Sequence, residues 1–364
     1  MARGTRRDAL RGLAGGGVAV LTAGGSAQAA QGAAAQAEPA LEPDIPILDA
    51  HHHLGPDYSI DAHVQDIRGS GHRVVGTVFV DCLAFYRADG PAALRPLGEV
   101  EYANGVAAQS ASGAYGALRA ACAIVGHADL TNPRAGELLD AQIAAAGGRF
   151  KGIRVMAAFD ADPNVLGGLA RILPPAPHHY AGERFRAGFR LLRPRGLSFD
   201  AWVLEPQLGD VLDLARAFPD TPIILNHAGA PLGVGMYKGR QRERFGIWRE
   251  SMRAIAACPN VCVKLGGLGE AYQGLTGPGG GVRLGSADLA ALWRPYVATC
   301  IELFGVGRAM FESDFPVEKA AMDYATLWNA LKRVVAGASA DEKRALFGGT
   351  AARVYRVQGL PGLG

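Results

Sequence analysis

Two histidines two positions apart, His51 and His53 in Asp49-Ala50-His51-His52-His53, close a short apolar run, Ile45 to Leu48, that reads as a buried strand. Side chains two apart on a strand share a face, so the two imidazoles project together from its end. Imidazoles converging in this way form half of a metal site or a polar wall against an anionic substrate. A histidine-rich turn that binds nothing is the alternative, and the rest of the chain weighs against it.

Other polar groups sit in or just after apolar runs. In Lys151-Gly152-Ile153-Arg154-Val155, Arg154 falls inside an apolar strand, where an unpaired guanidinium is costly. A substrate carboxylate held bidentately or a structural ion pair would satisfy it. Lys264, alone among the apolar residues of Val261-Cys262-Val263-Lys264-Leu265, poses the same choice. Asp200 and Trp202 end another run, as site residues or as packing. His227 ends Ile223-Ile224-Leu225-Asn226-His227, and the small Ala228 and Gly229 then let the backbone turn. Asp314 follows the last run in Phe311-Glu312-Ser313-Asp314-Phe315-Pro316, where a carboxylate can ligate a metal or take a proton from water.

These residues need a frame that brings strand ends together. Strand-like runs at Pro46–His51, Val74–Val80, Ala121–Val125, Phe150–Val155, Leu197–Val203, Ile223–His227, Val261–Leu265 and Ala309–Glu312 alternate with helical patterns. Such alternation is the signature of βα units and a parallel sheet, and eight runs predict a closed (β/α)8 TIM barrel, although the third is weak. Helices are expected at Pro133–Ala146, Leu208–Ala217, Trp248–Ala257, Leu289–Phe304, Tyr324–Ala336 and Ala340–Leu346, the last capped by Ser339. In a barrel of this kind the C-terminal strand ends share one mouth. The motifs then fall on strand one (His51, His53), strand three (Arg154), strand four (Asp200, Trp202), strand five (His227), strand six (Lys264) and strand eight (Glu312, Asp314). Two stretches, Leu169–Arg195 and Ala271–Gly285, read as long loops over that mouth. His178, His179 and Tyr180 in the first either reach the site or stay exposed.

The chain has 364 residues and a formal charge of +3, enough for one large domain, with no basic run interleaved with aromatics, so a small molecule is favoured over nucleic acid. Arg6-Arg7, a Gly/Ala-rich apolar stretch from Leu13 to Ala23, and Ala27-Gln28-Ala29 follow the order of an export signal of the twin-arginine type. The apolar part is too short for a stable membrane anchor. Residues 1–37 are therefore expected to be signal and tail, residues 38–364 one barrel domain, and the destination periplasmic or secreted. The five cysteines are spread without a CxxC pair and read as buried apolar side chains. A homo-oligomer is compatible with this reading.

Together, Asp-Ala-His-x-His, Gly-Ile-Arg, Asn-His-Ala-Gly and Glu-Ser-Asp-Phe-Pro resemble the amidohydrolase superfamily, in its amidohydrolase-2 branch of TIM-barrel hydrolases, which includes 2-pyrone-4,6-dicarboxylate lactonase and sugar lactonases. The resemblance runs from about Ile45 to Tyr355. It implies that His51, His53, His227 and Asp314 surround the reacting carbonyl, directly or through one Zn²⁺ or other divalent ion, and that Arg154 contacts substrate. Lys264 at the strand-six position argues against two metals. The expected activity is hydrolysis of a small lactone or cyclic ester carrying a carboxylate. Asp314 would be the base, and Arg154 and Lys264, with Trp202 and Asp200 nearby, would bind the anionic substrate. The alternatives are a mononuclear metal-dependent decarboxylase of an aromatic or unsaturated acid, and a periplasmic binding protein without catalysis.

Overall fold

The computed structural model describes residues 38–167, 177–274 and 283–363. The expected export signal, residues 1–37, lies outside them. Eight parallel strands form one sheet in sequential order: β1 (Ile47–His52), β2 (Val74–Val80), β3 (Arg119–His127), β4 (Phe150–Met156), β5 (Ser198–Trp202), β6 (Ile223–Leu225), β7 (Val261–Leu265) and β8 (Ala309–Phe311). A helix follows each: α1 (Ile60–Ser70), α2 (Leu97–Ala111), α3 (Ala135–Ala145), α4 (Glu183–Phe189), α5 (Leu208–Ala217), α6 (Gln241–Ala256), α7 (Ser286–Phe304) and α8 (Tyr324–Val334). This is the expected TIM-barrel fold. Parallel neighbours require such crossovers, and strands covered on both faces are apolar almost throughout.

The seam between the last strand and the first is made just beyond β8. Asp314 N–H donates to the His51 carbonyl at 2.9 Å, and His53 N–H to that of Phe315 at 2.8 Å. Asp49 stitches the same seam by accepting from Ser313 N–H (2.8 Å) and the Tyr324 hydroxyl (2.9 Å). The main apolar core lies between strands and helices. A separate cluster that includes Val78, Val80, Ala123, Val125, Ile224 and Met310 packs with Tyr355 and Leu360 from the C-terminal segment.

Several expectations are revised. β3 is the longest strand, although its Arg119-Ala120-Ala121-Cys122-Ala123 start looks weak because small residues carry little hydrophobic signal. Counting it moves Arg154 to β4, Asp200 and Trp202 to β5, His227 to the end of β6 and Lys264 to β7. The stretch expected as one long loop contains α4, whose Phe185 and Phe189, four apart on one helix face, pack against Phe199 of β5. Helix α8 and the capping box of Ser339 and Glu342 lie where the sequence places them.

Candidate active site

The pleat of β1 sends His51 and His53 to one side, their ring centroids 4.7 Å apart, while His52 turns away to stack on His63. His227 sits two residues past β6 in a left-handed turn (φ 53°), which brings its ring to 4.9 Å from that of His51. Asp314 has φ 53° and is tied by the seam to His51. Non-glycine residues in this region are uncommon, and two at one strand-end centre mark it as functional in character.

The hydrogen bonds fix the orientation of each imidazole. His53 Nδ1–H donates to the Val80 carbonyl at 2.8 Å. His227 Nδ1–H donates to Glu312 Oε1 at 2.8 Å. His51 Nδ1 lies 3.0 Å from Glu312 Oε2 and 3.2 Å from Lys264 Nζ, and Arg154 Nη1 lies 3.3 Å from its Nε2. Lys264 and Arg154 can both only donate, one at Nδ1 and the other at Nε2, so these contacts do not decide which ring nitrogen of His51 carries the proton; a cation bound at Nε2 would put it on Nδ1, toward Glu312. All three Nε2 atoms thus point inward. Nε2 of His51 and His53 are 3.1 Å apart, and Asp314 Oδ1 lies 3.3 Å from His53 Nε2, 3.6 Å from His51 Nε2 and 3.9 Å from His227 Nε2.

This arrangement fits one divalent cation. Both Asp314 oxygens are buried without a hydrogen-bond partner, a costly state for a carboxylate beside inward-facing lone pairs unless a cation shares them. Neutral imidazoles and a carboxylate suit zinc, and a carboxylate holding the far ring nitrogen is the usual support of such a ligand. His51, His53 and Asp314 bring candidate ligand atoms within 4.8 Å of one another. Burial and the nearby Lys264 hold His51 well below the usual imidazole range, and burial with Arg154 brings His53 down to about 3. Burial acts the same way on His227, but the Glu312 and Asp314 charges outweigh it and push this group up to about 9. Burial raises Asp314 to about 6 against the opposing pull of His227.

The two basic residues are already partnered. Arg154 Nε donates to Asp81 Oδ1 at 3.0 Å and its Nη2 to the Asp81 carbonyl. Lys264 Nζ donates to Asp200 Oδ2 at 2.7 Å, and Asp200 also accepts from the Tyr355 hydroxyl and from Asn226. Of the two partners the sequence leaves open, the structure therefore supplies ion pairs. Trp202 is buried at the end of β5, its ring 6.1 Å from Tyr272. His178 is exposed and pairs with Asp210 at 2.8 Å, and Tyr180 donates to the Val155 carbonyl. With Lys264 on β7 and His227 ending β6, the contrast with two-metal relatives drawn from Lys264 lapses.

Sequence reasoning missed two participants, Asp81 and Glu270, and placed Glu312 at the mouth without its bridging role. Asp81 directly follows β2. Glu270, at the end of Gly266-Gly267-Leu268-Gly269, brings a carboxylate oxygen within 4.8 Å of His227 and Asp314 ligand atoms and accepts from the Tyr272 hydroxyl at 2.6 Å. Burial and the Asp314 charge push its carboxyl up to about 8. The glycines make the room: a Cβ on Gly267 (φ 61°) would lie 2.3 Å from His227 Nδ1, and one on Gly266 2.4 Å from Glu312 Cγ.

Three inward imidazoles and a carboxylate at the C-terminal mouth of a (β/α)8 barrel can hold one divalent ion and activate water where such barrels place their active sites. Residues 48–357 match the amidohydrolase (Amidohydro_2) family, and the chain belongs to it as a hydrolytic enzyme. An uncharacterized protein of Sinorhizobium fredii, y4mH, is 38% identical over 235 residues, 64% of this chain and 69% of that protein. An L-fucono-1,5-lactonase of Burkholderia multivorans is 32% identical over 174 residues, 48% of this chain and 56% of that enzyme, so the match spans little more than half of it. A crystal structure of an amidohydrolase from Burkholderia multivorans with bound zinc superposes with a TM-score of 0.62 at 25% identity, covering 86% of this chain and 99% of that one.

Proposed function

We propose that this enzyme opens a small, uncharged lactone by water attack, with Asp314 as the general base. The observation that carries this reading is the convergence of three Nε2 atoms and an unpartnered Asp314 carboxylate at one point. The relative named L-fucono-1,5-lactonase supports the substrate class. The carboxylate expected on the substrate is set aside, because Arg154 and Lys264 are each engaged by a buried acid.

His51, His53, His227 and Asp314 would hold one divalent ion, zinc being the best match to these donors. When bound, that ion supplies Lewis acidity toward the lactone carbonyl and acidifies water. Asp314 takes the proton as water adds to the carbonyl carbon, and returns it to the ring oxygen as the acyl–oxygen bond breaks. Glu312 keeps the His51 and His227 rings in place throughout. Arg154 Nη1, beside His51 Nε2, adds positive charge where negative charge develops.

The test is to assay the purified, metal-analysed protein against 1,5-lactones and aromatic acids. Acid release from a lactone is expected. CO2 release from an aromatic acid, with lactones untouched, would replace this reading by the decarboxylase.

We also propose twin-arginine export with a mature start between about Ala30 and Glu38. In support, the Glu38 carboxylate accepts from Ser286 N–H at 2.7 Å, so the folded domain uses this residue. Arg6→Lys with Arg7→Lys should block export, and an unprocessed cytoplasmic product in the native host would dismiss the idea.

A further inference from the structure

Among the described residues at the mouth, Glu270 is a half-buried carboxyl group that makes no ion pair of its own and stands beside His227 and Asp314. Its backbone is set by Gly269, whose N–H donates to Glu318 at 2.9 Å, and by the Gln273 N–H that donates to the Glu270 carbonyl at 3.0 Å. Its side chain is steadied by Tyr272 at 2.6 Å. Beside it lies an apolar cluster separate from the main core, in which Trp202 and Tyr272 pack with Leu204 and Leu232. An aromatic wall next to a carboxyl group suits a ring with apolar C–H faces and hydroxyl groups at its edge. A carboxyl group accepts from a hydroxyl in either protonation state.

The charge balance points the same way. Asp81, Asp200, Glu312 and Asp314 are matched by Arg154, Lys264 and one divalent ion. With His227 neutral as a ligand of that ion, no cation among the described residues near the centre is left over for a substrate carboxylate, and a desolvated anion without a partner is strongly disfavoured.

We propose that Glu270, positioned by Tyr272, is a specificity residue that reads ring hydroxyls of the lactone. The proposal rests on the lactone reading above and deepens it. Hydroxylated lactones would be selected through Glu270, and lactones bearing a carboxylate would be poor substrates. A site built to bond a hydroxyl discriminates strongly against the analogue lacking it.

The experiment compares kcat/KM for L-fucono-1,5-lactone, for δ-valerolactone, which lacks hydroxyls, and for a ring-carboxylated lactone, with zinc content measured on every sample. The wild type should favour the hydroxylated lactone over each of the others by on the order of a hundredfold. Glu270→Ala should lower the hydroxylated-to-plain ratio by roughly thirtyfold or more, mainly through KM, and Glu270→Gln should restore most of it. Tyr272→Phe should lower it by about threefold to tenfold, and gives the answer if Glu270→Ala fails to fold. An unchanged ratio in the alanine variant, loss of zinc from it, or preference of the wild type for the carboxylated lactone would overturn the proposal. If the wild type opens the lactones with no dependence on Glu270, only this inference falls. If it opens none, the lactone reading falls as well.

Discussion

The backbone N–H of Asp314 donates to the carbonyl of His51 at 2.9 Å, so this carboxylate residue and the first imidazole are joined by the bond that closes the barrel. Their relative position therefore does not depend on either side chain.

For that reason Asp314→Asn should fold as the wild type does, the seam being made by the main chain. Turnover should fall by roughly two to four powers of ten, the scale of a lost general base. Circular dichroism and steady-state lactone assays on the same preparation check this. Activity within tenfold of wild type would remove Asp314 from the mechanism.

Glu312 holds Nδ1 of His227 and faces Nδ1 of His51. Glu312→Gln offers at most one acceptor where there were two, so one ring loses its orientation. Zinc affinity should weaken by about 10- to 100-fold, the usual effect of disturbing a carboxylate behind a histidine ligand. Competition titration with a chromophoric chelator gives the number, and unchanged affinity would show that the carboxylate does not support these rings.

Arg154→Met leaves Asp81 buried and unpaired, because the pair is sealed from solvent. Breaking such a pair typically costs about 3–5 kcal/mol. Urea denaturation should show this loss, and the remaining activity should fall equally on charged and neutral lactones. A loss confined to carboxylated substrates would instead return Arg154 to the role of anion holder.

Far from the mouth, Lys332 Nζ donates to the carbonyls of Leu41 and Glu42 and lies 2.9 Å from His72 Nδ1. Burial and the facing ammonium bring His72 down to about 4 from an ordinary 6.5. Between these values the unfolded chain binds a proton that the folded one refuses, so this contribution to stability is full above about pH 6.5 and is lost as pH falls toward 4. His72→Gln keeps an acceptor for Lys332 and removes the titration. The urea midpoint of the wild type should thus drop more between pH 7.5 and 5 than that of the variant, and parallel drops would contradict the assignment.

The sequence revealed the parts of the site that announce themselves locally. His51 and His53 share a face by strand pleating alone, and His227 stands out because a β-branched run ends in an imidazole followed by small residues. What it could not show are pairings across the barrel. Arg154 and Lys264 are legible as buried cations, yet their partners Asp81 and Asp200 lie 73 and 64 residues away and meet them only when the sheet curves closed. The strand count slipped because the alanines of β3 give little hydrophobic signal. Helix α2 was missed because its Ala, Gly and Asn content hides the buried face of Leu97, Val100, Ala103 and Ala107.

The seam has a further consequence for how the molecule is made. Ser313 and His51 touch across 262 residues of sequence, so the centre cannot exist until nearly the whole polypeptide has left the ribosome and wrapped round. A growing chain carries only fragments of that centre. Ion capture would come last, and once made it would fasten the chain's two distant ends as a clasp. Stripping the ion should then loosen the first and last strands ahead of the middle of the barrel.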